Sequence, residues 1–459
     1  MKKVVKKIVL LLIVFGIGVG VTLLYTNNKY KVYGEEEPKQ VKKHVDTISM
    51  MLETEAGSGN YEMTTASSWP TDGYVFNETL SKCENGGELS WDDTNKRVLM
   101  SGNVSDKCYV YFDVYVPPTI ADFCSSGDTL ATCVKNFGDQ GSEISNIYIH
   151  NSSLTNGAGD NSYRYAGASE NVDNFVCFGS NETTCPTDNL YRIIGVFGDQ
   201  VKLIKYDYAN SNLLGTDGDY STNTSSKSSS SYYKGELATI NEYHWNNSPG
   251  KNTWSESELN KTNLNKNYIA YLNNIDTKWA QKIATTTWKV GGNTWKKIIN
   301  SVMYTVYQNE VVNPVTTNTT DNAKEYTAKI GLMYVSDYGF AAAPNAWTLT
   351  MANYNNTTVT STSWIYMGLF EHTISRVAGD SFYVFSVGST GKMHDGRAEN
   401  SGGCRPSFNL ESSITYVSGS GSASDPMIIN WLTDSFERIS VKPNKKEVKS
   451  SAPRNVVGN

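Results

Sequence analysis

The chain has little charge and no strong excess of either sign. Charged residues make up 19% of its 459 positions, and the net charge is −6. No long basic face is written into it, which excludes nucleic acid as the expected partner. There is no Cys-x-x-Cys, and the five histidines are scattered, so neither a metal centre nor a cofactor is expected. A Gly-x-Ser-x-Gly elbow of the serine-hydrolase type is absent. Glu371 and Asp395 carry no supporting motif for a paired-carboxylate glycosidase. His372 and His394 lie near Asp380 and Asp395, a pairing more usual on surfaces than in triads. No Leu-Pro-x-Thr-Gly sorting motif occurs either.

What is present begins with Lys2, Lys3, Lys6 and Lys7, followed by an uncharged apolar run from Ile8 to Tyr25. As a helix the run spans roughly 27 Å, close to the hydrocarbon thickness of a bilayer. Lysines on its N-terminal side are expected to stay in the cytoplasm, with everything after residue 26 outside. A cleaved signal peptide shares this pattern. The length of the run, and the lack of a small-x-small site in Thr26-Asn27-Asn28-Lys29, favour an uncleaved anchor over residues 1–25. Membrane attachment is thus assigned to residues 8–25.

Tyrosine is abundant at 29 residues, among many Thr, Ser, Asn and Gly, as suits an extracellular β-rich chain. Seven cysteines fall in local pairs. Cys83 with Cys108, Cys124 with Cys133 and Cys177 with Cys185 are the expected disulfides, consistent with an oxidising compartment. Cys404 is left over.

Five segments follow from composition and pattern. Residues 1–25 are the cytoplasmic lysines and anchor, and 26–46 a charged stalk. Residues 47–118 form a small β-domain with short β-type runs at Thr47–Glu53, Gly73–Asn77, Glu88–Trp91, Arg97–Ser101 and Tyr109–Val116. A turn is expected over residues 92–96, and a core from Trp91, Val98, Met100, Val110 and Phe112. The spacing fits an Ig-like sandwich.

Residues 119–431 form a larger α+β head, and 432–459 a polar tail. In the head, Leu130, Val134 and Phe137 mark a helix clipped by Cys124–Cys133. Tyr191–Phe197 and Gln200–Lys205 flank Gly198-Asp199 as a hairpin. Residues 209–253, with a serine run at 228–231, read as a long loop. Ser255 and Glu258 fit a capping box before Leu264, Tyr268 and Leu272. Ile298, Ile299, Val302, Met303 and Val306 mark another helical stretch. Strands are expected at Lys329–Val335, Trp364–Leu369, Phe382–Gly388 and Arg405–Leu410.

Four strings carry a resemblance. They are Asn189 to Phe197, Lys329 to Gly339, Gly403-Cys404-Arg405-Pro406-Ser407-Phe408-Asn409-Leu410 and Asp425-Pro426. They resemble a family of uncharacterised surface modules of gut Firmicutes and Mollicute-like bacteria. The β-domain strings Ser81 to Gly87 and Lys107 to Tyr111 often accompany it. More distantly, the order of elements is similar to C-type-lectin-like folds, including the formylglycine-generating-enzyme branch. The resemblance implies that Arg405 and Cys404 belong to the core, Cys404 as a small buried hydrophobe. Arg405 is expected to pair with a carboxylate such as Asp337. The enzyme branch uses a pair of metal-binding cysteines, and only Cys404 stands late in this chain.

Trp347, Tyr354, Trp364 and Tyr366 lie among Asn, Thr and Ser, where aromatics suit sugar faces or a protein patch. Arg397, in Asp395-Gly396-Arg397, is expected to be exposed beside them. The first expectation is therefore a non-enzymatic, membrane-anchored surface module for a glycan or protein ligand. The alternatives are a structural or assembly component of the cell surface, or an extracellular enzyme acting on wall or glycan.

Overall fold

The computed structural model describes residues 48–101, 106–180, 182, 184–226, 239–315, 323–355 and 357–431. The apolar run 8–25, the stalk 26–46, the serine run 228–231 and the tail 432–459 lie outside the described residues. Among the described residues no helix is long and apolar enough to cross a membrane. The chain divides into two compact units, Met1–Pro117 and Pro118–Asn459. The break falls between two prolines, neither of which can donate to a ladder. Both units are strand-rich, and among the described residues short helices occur only in the second.

The first unit is built on strand Cys108–Val114. It pairs parallel with Ile48–Glu53 and antiparallel with Tyr74–Phe76 and Lys82–Cys83; Tyr61–Met63 extends the sheet beyond Ile48–Glu53. Glu88–Asp92 and Arg97–Ser101 form a separate hairpin. Its turn is set by Asp92, whose carboxylate accepts the Asn95 amide at 3.1 Å, and by Lys96 at φ 48°. Met50, Val98, Val110 and Phe112 are the buried core. Trp91 is only half-buried and packs edge-on against Phe112 at 5.6 Å. Cys83 and Cys108 are bonded, joining neighbouring strands.

The second unit centres on an antiparallel sheet. Its strand order is Ile330–Gly331, Ser407–Asn409, Gln200–Lys205, Leu190–Phe197, Tyr163–Tyr165 and Ile147–Ile149, and Phe175–Cys177 also pairs with Leu190–Phe197. Gly198, at φ 62°, makes the two-residue turn of the central hairpin. A bulge precedes this turn, between Ile193 and Gly195, and there a side chain has no room: a Cβ on Gly195 would lie 2.4 Å from the Tyr163 carbonyl. Helix Leu130–Gly138 packs Leu130, Val134 and Phe137 inward, and Cys124–Cys133 ties its start to the preceding turn. Cys177–Cys185 is the third disulfide.

Several expectations change. Residues 209–253 are not one long loop. They hold a short helix, Ser211–Leu214, and strands Tyr220–Ser226 and Thr239–His244, which continue to Ser401–Gly402. Hydroxyls hold the buried Glu242 carboxylate here: Ser225 from within the stretch and Ser401 from the neighbouring strand both donate to it. The expected box at Ser255 and Glu258 is not formed; Ser257 Oγ instead accepts the Asn260 amide at 3.1 Å. The apolar stretch around residue 300 divides into Trp295–Ile298 and Met303–Tyr307, because Val302 is extended. Lys329–Val335 is strand only at Ile330–Gly331, and Val335–Phe340 is helix. No strand forms over Trp364–Leu369; the strand comes next, at Glu371–Arg376, fully buried and paired with Tyr383–Val387.

Candidate functional site

The aromatic patch expected from sequence is not on the surface. Trp347, Tyr354, Trp364 and Tyr366 are all 2% exposed or less. Each spends its polar atom on a main-chain carbonyl. Trp347 Nε1 donates to Ala342 and Trp364 Nε1 to Tyr165, both at 2.9 Å. The Tyr354 hydroxyl donates to Gly339 at 3.1 Å, and that of Tyr366 to Ser389. The polar neighbours in sequence were misleading, because a buried indole or phenol needs just one acceptor and packs otherwise as a hydrophobe. Arg397 is exposed, as expected, at the end of strand Met393–Arg397. It lies 4.9 Å over the Phe382 ring and 3.4 Å from Glu399.

Arg405 is buried, but its partner is not Asp337. It makes a two-point pair with Glu371, at 2.7 and 3.0 Å, and donates to the Ile365 carbonyl at 2.7 Å. Glu371 offsets the burial of the guanidinium, which stays above its usual range. Cys404 is buried and unpaired with another cysteine, and burial raises its thiol far out of the reactive range.

A groove of about 520 Å³ opens elsewhere on this unit, lined by Lys289, Val312, Asn313, Pro314, Val315, Lys324 and Glu325. Lys289 and Glu325 face each other across strands Thr286–Lys289 and Glu325–Ala328 and form an ion pair. Val312 is 50% exposed at its mouth. The lining therefore mixes both charges with apolar surface, a composition suited to a polar ligand with an apolar face.

Tyr334 links this groove to a buried charge cluster. Its hydroxyl accepts the Lys289 main-chain N–H at 2.6 Å, and its ring lies 4.3 Å from Lys202 Nζ. Lys202 Nζ meets Asp337 Oδ2 at 2.5 Å, and Arg164 lies 3.8 Å from Asp337 Oδ1. Arg164 also binds Asp160 at 2.6 Å. Burial pushes the Asp160 carboxyl up, but Arg164 and the hydroxyls of Ser162 and Tyr307 outweigh it and hold it at about 2. Glu310 is fully buried at the start of helix Val335–Phe340. It accepts the amides of Val335 at 2.7 Å and Ser336 at 2.8 Å, and the Ser375 hydroxyl. Burial raises its carboxyl above the usual range. His150 stacks edge-on against Phe340 at 4.7 Å, and burial holds it neutral, at about 2.

Sequence reasoning named only Asp337 of this cluster, and for another role. One signal was available: Lys202 sits inside a strand whose flanks, Val201, Leu203 and Ile204, are all buried. A lysine in the middle of such a strand must find an anion. Which anion cannot be read locally, since Asp337 lies 135 residues away. No family model, curated protein or solved structure matches this chain.

Proposed function

We propose that this chain is a membrane-anchored extracellular surface protein whose folded units bind a glycan or a protein ligand. The observation that carries the reading is the set of three short-range disulfides, Cys83–Cys108, Cys124–Cys133 and Cys177–Cys185. Such bonds persist outside the cytosol. The Lys-led apolar run over residues 8–25 supplies the matching tether, with its lysines inside. The first unit is read as Ig-like, on its two sheets. The second is read as a C-type-lectin-like head of the surface-module family, on its short-stranded frame with the Gly403-Cys404-Arg405-Pro406 segment buried near the end. With the four aromatic rings buried, the groove at Lys289, Val312 and Lys324 takes their place as the contact surface.

The test is binding by the full chain in lipid nanodiscs to glycan, mucin and bacterial-surface panels. A ligand captured by the wild type and lost on Val312→Trp supports the groove, because that position is at the surface and its change leaves the core intact. Absence of any captured ligand contradicts the binding role.

A further inference from the structure

We propose that Lys202 and Asp337 are joined by an intramolecular isopeptide bond, formed by this chain's own side chains once it has folded. The geometry supplies the reacting pair. Lys202 lies in strand Gln200–Lys205 and Asp337 in helix Val335–Phe340, 135 residues apart, yet Nζ stands 2.5 Å from Oδ2. Their side chains are 4% and 1% exposed. The rings of Tyr334, Trp288 and Phe197 stand 4.3, 5.2 and 5.9 Å from the Lys202 nitrogen. Bulk water is therefore kept from the reacting atoms, which protects the product from hydrolysis and raises the cost of keeping two separate charges.

The surrounding groups fit the steps. Burial lowers the Lys202 ammonium below its usual range, against the pull of Asp337, which favours the neutral amine needed as nucleophile. Arg164, 3.8 Å from Oδ1, faces the oxygen that gains charge when nitrogen adds to Cγ. Glu310 is the proton carrier. It is fixed by the amides of Val335 and Ser336, the two residues immediately before Asp337, and it acts on Lys202 electrostatically.

The reaction needs no atom from elsewhere. A proton passes from the Lys202 ammonium to the Asp337 carboxylate. The nitrogen lone pair adds to Cγ and forms the Cγ–Nζ bond. Glu310 takes a second proton from nitrogen and returns it to the departing hydroxyl as the Cγ–O bond breaks. Ammonium and carboxylate become one neutral amide and one water, and no oxidant or reductant takes part. The oxygen that remains as the amide carbonyl is Oδ1, facing Arg164, while Oδ2, which now accepts the Tyr334 amide at 2.8 Å, leaves as water.

A buried ion pair would use the same two groups, so mass spectrometry decides between them. The full chain is extracted from membranes, reduced, alkylated, denatured and digested with trypsin. The expected product is one branched peptide, residues 193–205 joined to residues 330–376, lighter than the two parts by one water and uncut after Lys202. Recovery of those sequences only as separate linear peptides, with cleavage after Lys202, overturns the proposal. The wild-type chain suffices for this decision. Lys202→Arg keeps the cation without the nucleophile and is expected to give linear peptides from a chain whose disulfides still form. Glu310→Gln is expected to leave a large uncrosslinked fraction; complete crosslinking in that variant removes Glu310 from the reaction.

Discussion

Arg405 and Glu371 hold each other at 2.7 and 3.0 Å, with both side chains 3% exposed or less. This pair ties the segment after Gly403 to strand Glu371–Arg376. Removing one member strands the other charge in the core, at a cost of about 3–5 kcal/mol. Arg405→Met is expected to lower stability by that amount, measured by denaturant unfolding of the second unit's tryptophan fluorescence. A change below about 1 kcal/mol would mean that the pair is solvated.

The tryptophans give a second test. Trp364 is 1% exposed and covers the Arg192 guanidinium at 4.7 Å. Trp364→Ala is expected to cost about 3–5 kcal/mol as a core truncation. Equilibrium unfolding reads that loss. Unchanged stability with lost ligand binding would return the ring to the surface role first expected of it.

Acid should destabilise the second unit through its buried histidines. Burial holds His372 at about 4 and His150 at about 2, while in the unfolded chain both ionise near 6.5. Below pH 6.5 the unfolded chain takes up protons that the folded chain refuses. Their contribution is therefore complete above pH 6.5 and falls as pH drops, by about 1.4 kcal/mol per unit for each histidine. For His372 the loss runs down to about pH 4, and for His150 on towards pH 2. Glu310, whose carboxyl burial raises, works in the opposite sense, so the comparison is made between variants. His372→Gln is expected to flatten the stability slope between pH 6 and pH 4 by about 1.4 kcal/mol per unit. An unchanged slope contradicts the neutral buried histidine.

The first unit has a small core and one disulfide across adjacent strands. Replacing Cys83 and Cys108 together by serine is expected to cost about 2–4 kcal/mol. The loss should appear in the melting of that unit while the second unit's transition stays in place. A shift of both transitions would show that the bond supports more than its own unit.

How much of this was readable in advance depended on whether the signal was local. The central hairpin was plain, because β-branched runs flank Gly198-Asp199 and the turn needs a positive φ. The cysteine pairs were plain for the same reason, being short-range. Trp347 and Trp364 misled because their sequence neighbours are polar, whereas in space Trp347 packs on His150 and Phe340, and Trp364 on the Arg192 guanidinium. The partner of Arg405 was misassigned because two buried carboxylates, Asp337 and Glu371, were candidates and only tertiary packing separates them. The groove was illegible for a related reason: its lining comes from residues 289, 312–315 and 324–325, of which strand pairing joins only Lys289 and Glu325, and the rest arrive by tertiary packing.

The proposal that residues 48–431 face outward is tested most directly by labelling intact cells with an amine-reactive biotin that does not cross membranes. Lys251 and Lys261 are the reporters, with side chains 45% and 44% exposed. Both should be labelled on intact cells to the same extent as in lysed cells, while a cytosolic protein stays unlabelled. Labelling of these lysines only after lysis would place the folded units inside the cell and contradict the surface role.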